Sequence, residues 1–160
     1  MDREGLGVAP VTPYIAKLLG EFMGRFVGDR GFTFFEGKDP EQLAGDKQVK
    51  IWLWSQYGDP VAYGHIELPS NPRKSHVCRF GVAVDPAARG RGLGTRVVER
   101  LLQEAKTLGF SKVNATVYAD NAAMLAIYLN KYGFTIEGTY RDEERWDGES
   151  RDVMSLAKVL

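Results

Sequence analysis

The segment Val82-Ala83-Val84-Asp85-Pro86-Ala87-Ala88-Arg89-Gly90-Arg91-Gly92-Leu93-Gly94-Thr95 restricts the possible folds of this chain more than any other. An apolar strand runs into a proline-containing turn, glycines alternate with Arg91 and Leu93, and a helical pattern follows at once. Val97, Val98, Leu101, Leu102, Ala105 and Leu108 fall on one stripe of a 3.6-residue period, and Gly109 stands where a C-terminal helix cap belongs. Strand, glycine loop and helix in this order gather main-chain N–H groups at a helix N-terminus, where the aligned peptide dipoles favour an anion. Glycine matters because a Cβ would hold a phosphate away from the main chain. The segment reads as a pyrophosphate cradle formed by Arg89, Gly90, Arg91, Gly92, Leu93, Gly94 and Thr95.

Two common phosphate loops do not fit. A P-loop needs Gly-x-x-x-x-Gly-Lys-Ser/Thr, and no lysine precedes Thr95. A dinucleotide fingerprint needs Gly-x-Gly-x-x-Gly, and Val97 stands where the third glycine should be. The pattern that does fit is Arg/Gln-x-x-Gly-x-Gly/Ala, as Arg89-Gly90-Arg91-Gly92-Leu93-Gly94.

Size and composition narrow the remaining choices. A chain of 160 residues, 44% of them apolar, can bury a real core and reads as one domain over 1–160, with a cofactor-binding core at about 75–134. Lysine plus arginine equals aspartate plus glutamate at 21 each, so bulk charge argues for neither nucleic acid nor an anionic membrane. Arg96 and Arg100 lie one helical turn apart, where Glu99 and Glu104 can pair with them, so with Arg89 and Arg91 they do not read as a nucleic-acid patch. The single cysteine, Cys78, lies in an apolar strand pattern and reads as a buried thiol. It cannot form an internal disulfide, so a cytoplasmic location is expected. No run approaches the roughly 18 apolar residues of a membrane span, and Met1 to Pro10 lacks the apolar stretch of a signal peptide. No metal is expected.

Along the chain, an irregular lead-in over 1–13, with a short strand near Val8, precedes a helix from Tyr14 to Val27. Asp29 to Asp46 carries glycines, acids and Phe32, Phe34 and Phe35, the composition of a loop region bordering a pocket. Strands follow over Val49–Trp54, Val61–Leu68 and His76–Val84, the first two joined by a turn at Gln56 to Pro60. After the glycine-loop helix come a strand at Lys112–Tyr118, a helix at Asn121–Tyr132 ended by Gly133, and a strand at Phe134–Thr139. Arg141 to Ser150 reads as a charged, salt-bridged hairpin or loop, and Arg151 to Lys158 as a closing strand. The order gives an α/β fold with a mixed, largely antiparallel central sheet and flanking helices.

A second cluster is Val117-Tyr118-Ala119-Asp120-Asn121, then Tyr128, then Gly133-Phe134. Asn121 suits a helix N-cap, and Tyr128, seven residues on, lies on the same helix face. A tyrosine with its usual pKa of about 10 is protonated at neutral pH, and can donate to a departing thiolate whose conjugate acid has a pKa of about 8.5.

Taken together, the Arg89–Gly94 loop behind a Val-Ala-Val-Asp-Pro strand end and the Asn121…Tyr128…Gly133-Phe134 signature resemble the GNAT N-acetyltransferase superfamily over most of residues 49–157. The late rhythm from Gly133 to Met154 is similar to that of its ribosomal-protein, polyamine and small-molecule acetyltransferases. The resemblance implies that acetyl-CoA is the co-substrate and a small-molecule or protein amine the acceptor, with direct attack in a ternary complex. It implies a sheet that splays beside Val82, Ala83 and Val84, whose free peptide groups pair with pantetheine. It implies that Asn121 lies by the cofactor or near the acceptor amine and that Tyr128 points at the thioester sulfur, and a homodimer is a family-level expectation.

Two departures stand out. The family usually has four steps from the tyrosine to the Gly-Phe glycine, and Tyr128 to Gly133 is five. The extra residue rotates what precedes it by about 100° unless a π-bulge absorbs it, and the alternative is that Tyr132, or no residue, serves. The strand position where many relatives carry a basic glutamate holds Arg79, so Glu67, His65, His76 and Asp120 are the candidate bases, directly or through water. A catalytically silent acyl-CoA sensor is the competing reading.

Overall fold

The computed structural model describes residues 5–29, 32 and 34–160. The first four residues of the lead-in, and three positions in the Asp29 to Asp46 segment, lie outside the described residues. The strands are β1 (Leu6–Pro10), β2 (Val49–Gln56), β3 (Asp59–Glu67), β4 (Val77–Val84), β5 (Lys112–Tyr118), β6 (Thr135–Trp146) and β7 (Glu149–Val159). The helices are α1 (Ala16–Gly24), α2 (Pro40–Gly45), α3 (Leu93–Thr107) and α4 (Ala122–Leu125), the last continued by a π-helical turn over Ala126–Lys131. The strands form one sheet in the order β1-β2-β3-β4-β5-β7-β6. Every neighbouring pair is antiparallel except β4 and β5, which α3 connects as a parallel crossover.

Both faces of the sheet are covered. In β2 the run Ile51-Trp52-Leu53-Trp54 is apolar without a break because Ile51 and Leu53 meet α1 and α2 while Trp52 and Trp54 belong to the core on the α3 face. Leu19, Phe22 and Met23 of α1, with Phe26 and Phe35, fill the first side against Tyr63. Val97, Val98, Leu101 and Leu102 of α3 fill the other against Ile66, Phe80 and Val113. These four aliphatic side chains, at about 1.5–3 kcal/mol each, put the docking of α3 at about 10 kcal/mol of burial. Leu108, expected on the buried stripe, is 40% exposed, because α3 stops at Thr107 and Leu108 turns the chain outward as its C-cap.

Of the two readings of Arg141–Ser150, hairpin or loop, the structure shows the hairpin: β6 runs past the expected Thr139 to Trp146, and only Asp147 and Gly148 turn into β7. Beyond Tyr140 this hairpin rises clear of the core, so both its faces are polar and no alternating pattern marks its length. The expected closing strand, β7, does not lie at the edge of the sheet. It inserts between β5 and β6, leaving β6 outermost.

Candidate active site

The N-terminus of α3 presents main-chain amides to open space. Gly92 is its N-cap, with φ 77°, and no side chain caps the helix. The first helical hydrogen bond runs from the Arg96 N–H to the Gly92 carbonyl at 3.2 Å. The amides of Leu93, Gly94 and Thr95 therefore precede the helical ladder, as the first N–H groups of any helix do. A Cβ on Gly92 would meet nothing within 4 Å, so glycine serves the left-handed backbone and the space in front of the amides is open. That open, uncapped cradle fits a pyrophosphate. Asp85 secures the loop's start: its Oδ1 accepts from the Ala87 N–H at 2.9 Å, and its other oxygen pairs with Arg25 at the end of α1.

The loop's two arginines part company. Arg89 stays with the cradle, donating through Nε to the Val84 carbonyl at 3.2 Å and through Nη2 to Asp29 at 3.1 Å. Arg91 turns to the other side, where its Nη2 donates to Gln56 Oε1 at 2.7 Å beside Leu6 and Tyr57. Its side chain is thus not brought to the groove that the other cradle residues share.

From the cradle a groove of about 420 Å³ runs past Val82, Ala83 and Val84 to Asn121, Met124 and Ile127. It exists because the sheet splays. The β4–β5 ladder pairs Val77–Phe80 with Lys112–Ala115 and stops there, whereas β4 goes on pairing with β3 as far as Val84. The β5-facing edge of residues 81–84 thus has no strand partner.

A second cavity, about 280 Å³, lies beside the splay, lined by His65, Glu67, Arg79, Thr116, Tyr118, Tyr128 and Glu144 among others. The two cavities share Phe32, Val82, Asn121 and Met124. Asn121 caps α4, its Oδ1 accepting the Met124 N–H at 3.2 Å, and so stands at the junction as cap and wall together.

Tyr128 lines the second cavity near that junction. The π turn resolves the spacing problem: the Tyr132 N–H reaches five residues back to the Ile127 carbonyl at 3.1 Å, and the Phe134 N–H closes the end on the Tyr128 carbonyl at 2.9 Å. The extra residue is absorbed without turning Tyr128 away. The expected continuous helix over Asn121–Tyr132 is instead one α-helical turn followed by this wider one. Tyr128 packs edge-on against Phe134, with ring centroids 4.8 Å apart. No described residue pairs with its hydroxyl, which is nonetheless not among the sealed polar atoms. Burial pushes this phenol well above its ordinary range, so it stays protonated. Tyr132, the alternative, is used elsewhere, donating its hydroxyl to the Thr95 carbonyl at 3.2 Å.

The wall opposite Tyr128 comes from β3. Tyr63, His65 and Glu67 alternate along the strand and so share a face. His65 is 1% exposed, its Nδ1 lies 2.9 Å from the Tyr63 hydroxyl, and its Nε2 lies 3.2 Å from Glu67 Oε1. Desolvation lowers the pKa of His65, which favours the neutral ring. A neutral ring satisfies both partners only as the Nε2–H tautomer, which donates to Glu67 and accepts from Tyr63. The His65 bond, outweighing burial, holds Glu67 below its ordinary carboxylate range. Phe34 stacks on the imidazole, with centroids 4.0 Å apart, and Gly81 on β4 leaves room for its other face.

The other candidate bases are not brought in. The His76 carbonyl accepts the N–H groups of Ser111 and Lys112 outside the cavity, and Asp120 pairs with Arg151 at 2.6 Å. Tyr63, which fixes His65, went unrecognised in the sequence, whereas Phe34 lies in the segment expected to border a pocket and Glu144 in the expected charged hairpin. The polar alternation Tyr63-x-His65-x-Glu67 inside an apolar strand was the available signal for the first. Glu144 reaches the cavity because the β6–β7 register shifts between Tyr140 and Glu144, and the Tyr118 hydroxyl donates to it.

Comparison with known proteins agrees with this architecture. The model of the acetyltransferase (GNAT) family matches residues 15–134. The chain is 32% identical over 120 residues to the L-amino acid N-acetyltransferase AaaT of Escherichia coli, covering 74% of each protein. It is 42% identical over 62 residues to the [Ribosomal protein bS18]-alanine N-acetyltransferase of Salmonella typhimurium, covering 39% of this chain and 40% of that one. The fold superposes with a TM-score of 0.84, at 20% identity, on a GNAT-family acetyltransferase from Streptococcus pneumoniae, over 97% of this chain and 99% of that one. It superposes with a TM-score of 0.81, at 19% identity, on yncA from Salmonella typhimurium, solved with its cofactor acetyl-CoA, over 96% and 93% of the two chains. On the family match over residues 15–134 and the relative 32% identical over 120 residues, the chain belongs to the GNAT family of acetyltransferases.

Proposed function

We propose that this acetyltransferase moves the acetyl group of acetyl-CoA to a primary amine by direct attack, with both substrates bound at once. The observation that carries this reading is the meeting of the two cavities at Val82, Asn121 and Met124, with Tyr128 beside the junction. One cavity starts at an uncapped helix N-terminus suited to a pyrophosphate, and the other holds a carboxylate suited to an ammonium.

Acetyl-CoA supplies an activated acyl group and a thiol leaving group. Arg89 and the amides of residues 90–95 hold its phosphates. The unpartnered edge at Val82, Ala83 and Val84 offers peptide groups to its pantetheine amides, and a main-chain N–H there stabilises the oxyanion. Glu67, an anion held in place by His65, receives the acceptor ammonium. Its lowered pKa makes it a weak base, so the first proton leaves the ammonium past Glu67 into water. The free amine attacks the thioester carbonyl, the C–S bond breaks, and the Tyr128 hydroxyl protonates the thiolate. The second proton lost from nitrogen balances the one Tyr128 gave up. Holding both reactants in one geometry supplies much of the rate.

The test is a panel of amines offered with acetyl-CoA and followed by free thiol, alongside calorimetry of acetyl-CoA binding. Thiol release that depends on the amine is the expected result. Binding heat without thiol release from any amine would identify a sensor, and absence of heat would refute the cradle.

A further inference from the structure

We infer that Arg79 reads an anionic group on the acceptor, so that the amine acetylated here carries a carboxylate. This rests on reading the smaller cavity as the acceptor site. Arg79 lies on β4 directly across from Glu67 of β3, and both line that cavity. Cross-strand neighbours have Cβ atoms about 4.5–5.5 Å apart, close enough for a glutamate and an arginine to pair. They do not: no ion pair or hydrogen bond joins them, and Arg79 has no such partner among the described residues. Exposed Arg73 and Arg141 share this lack among the described residues, but of the three only Arg79 lines the cavity, across from a carboxylate.

The reason lies in His65. Its Nε2 holds Glu67 Oε1 at 3.2 Å and draws the carboxylate along its own strand, away from the arginine opposite. The imidazole cannot yield, being sealed between Phe34 and Gly81 and fixed at its far nitrogen by Tyr63. The cavity thus holds an anion and a cation on facing strands with no direct bond between them, the arginine acting on Glu67 through its charge alone. A ligand with an ammonium and a carboxylate on adjacent atoms satisfies both, the ammonium at Glu67 and the carboxylate at the guanidinium, whose planar fork suits a carboxylate. Phe34, Phe80 and Val153 supply apolar wall for a side chain.

Other acceptors fit worse. A polyamine would bring two or more positive charges towards Arg79 and Lys38, which also bears on Glu67. A peptide N-terminus presents an amide where the guanidinium stands, and leaves that donor without its anion.

The experiment compares acceptors that differ in this one group: L-phenylalanine, L-phenylalaninamide and 2-phenylethylamine, the matching leucine series, and spermidine. Wild type is expected to favour the acid over the amide by about 10- to 100-fold in kcat/KM, the range of a charge-assisted hydrogen bond. Arg79→Gln should bring that ratio to near one, chiefly through KM, and Arg79→Lys should keep part of it. Calorimetry with acetyl-CoA and a melting curve accompany each variant. Equal use of acid and amide by wild type, a preference for spermidine, or an acid preference that survives in Arg79→Gln would overturn the role of Arg79. Thiol release from no amine at all would instead overturn the acceptor-site reading beneath it. Should Arg79→Gln fail to fold, the acid-to-amide ratio of wild type and of Arg79→Lys decides the matter.

Discussion

Gly81→Ala should be far more damaging than a glycine-to-alanine change in a strand usually is. The backbone at Gly81 is not left-handed, so alanine gains about 0.4–1 kcal/mol by restricting the unfolded chain. Against that gain, the new Cβ would lie 2.0 Å from His65 Cε1 and 2.5 Å from its Nε2. The ring cannot swing clear without leaving the Phe34 stack and giving up its bonds to Tyr63 and Glu67. Overpacking costs about 1–3 kcal/mol, and two lost hydrogen bonds about 0.5–1.5 kcal/mol each. The net is about 3 kcal/mol, which in a domain of this size lowers the melting temperature by about 6–12 °C. The assay is a double-mutant cycle by thermal and urea denaturation with His65→Ala, which empties the space the methyl group needs. In that background Gly81→Ala should be neutral or mildly stabilising, giving a coupling of about 2–4 kcal/mol. An equal cost in both backgrounds would refute the claim that His65 occupies the space above Gly81.

Three further outcomes follow from the site. Tyr128→Phe should lower kcat by about 100-fold or more, the usual scale for a general acid, while acetyl-CoA affinity by calorimetry holds; undiminished turnover would remove the role. Gly92→Glu places a carboxylate at the mouth of the amide cradle and a side chain on a backbone at φ 77°, so acetyl-CoA affinity should fall by more than about 100-fold. Gly92→Ala pays only the backbone cost and should lose about 1–2 kcal/mol of stability. In the pH dependence, the folded-state pKa of His65 lies below its ordinary 6.5, so the unfolded chain binds more protons between the two values. The stability linked to a neutral His65 is therefore full above pH 6.5 and is lost as pH falls towards the folded value. Glu67 is lowered too, and its share is lost on acidification below the ordinary carboxylate range. The melting temperature of wild type should drop between pH 7 and pH 5 more than that of His65→Gln, and parallel curves would contradict the buried neutral imidazole.

Much of the strand–loop–helix geometry around Gly92 and of the Asn121 cap was legible because it is local. A strand end, alternating glycines and an amphipathic helix form one continuous stretch, and Asn121 announces its cap three residues from the amide it meets. The limits of β5, Lys112–Tyr118, were readable from its own alternation. Of the second cavity, Glu67 and His65 could be named from their strand, but their contacts could not, because these join residues distant in sequence. Phe34 meets His65 across some thirty positions, and Glu144 reaches Tyr118 only through an irregular register between β6 and β7. The π turn is an intermediate case. Counting residues from Asn121 and from Gly133 exposed the conflict, but only the backbone shows that the helix widens to admit the surplus residue. The charged hairpin was legible as an alternative, but the length of β6 was not, because it depends on pairing with β7, a partner that composition does not reveal.

The parting of β4 and β5 leaves the two halves of the sheet joined by only four rungs, Val77–Phe80 against Lys112–Ala115. A guest lying in that notch would be recognised by bare peptide groups, which every residue except proline offers alike. The demand on the chain there is for an extended shape and not for particular side chains. The side chains of Val82, Ala83 and Val84 therefore answer to packing, with Ala83 buried among the α1 core residues, and the walls of the second cavity could change without altering the peptide groups that this edge offers.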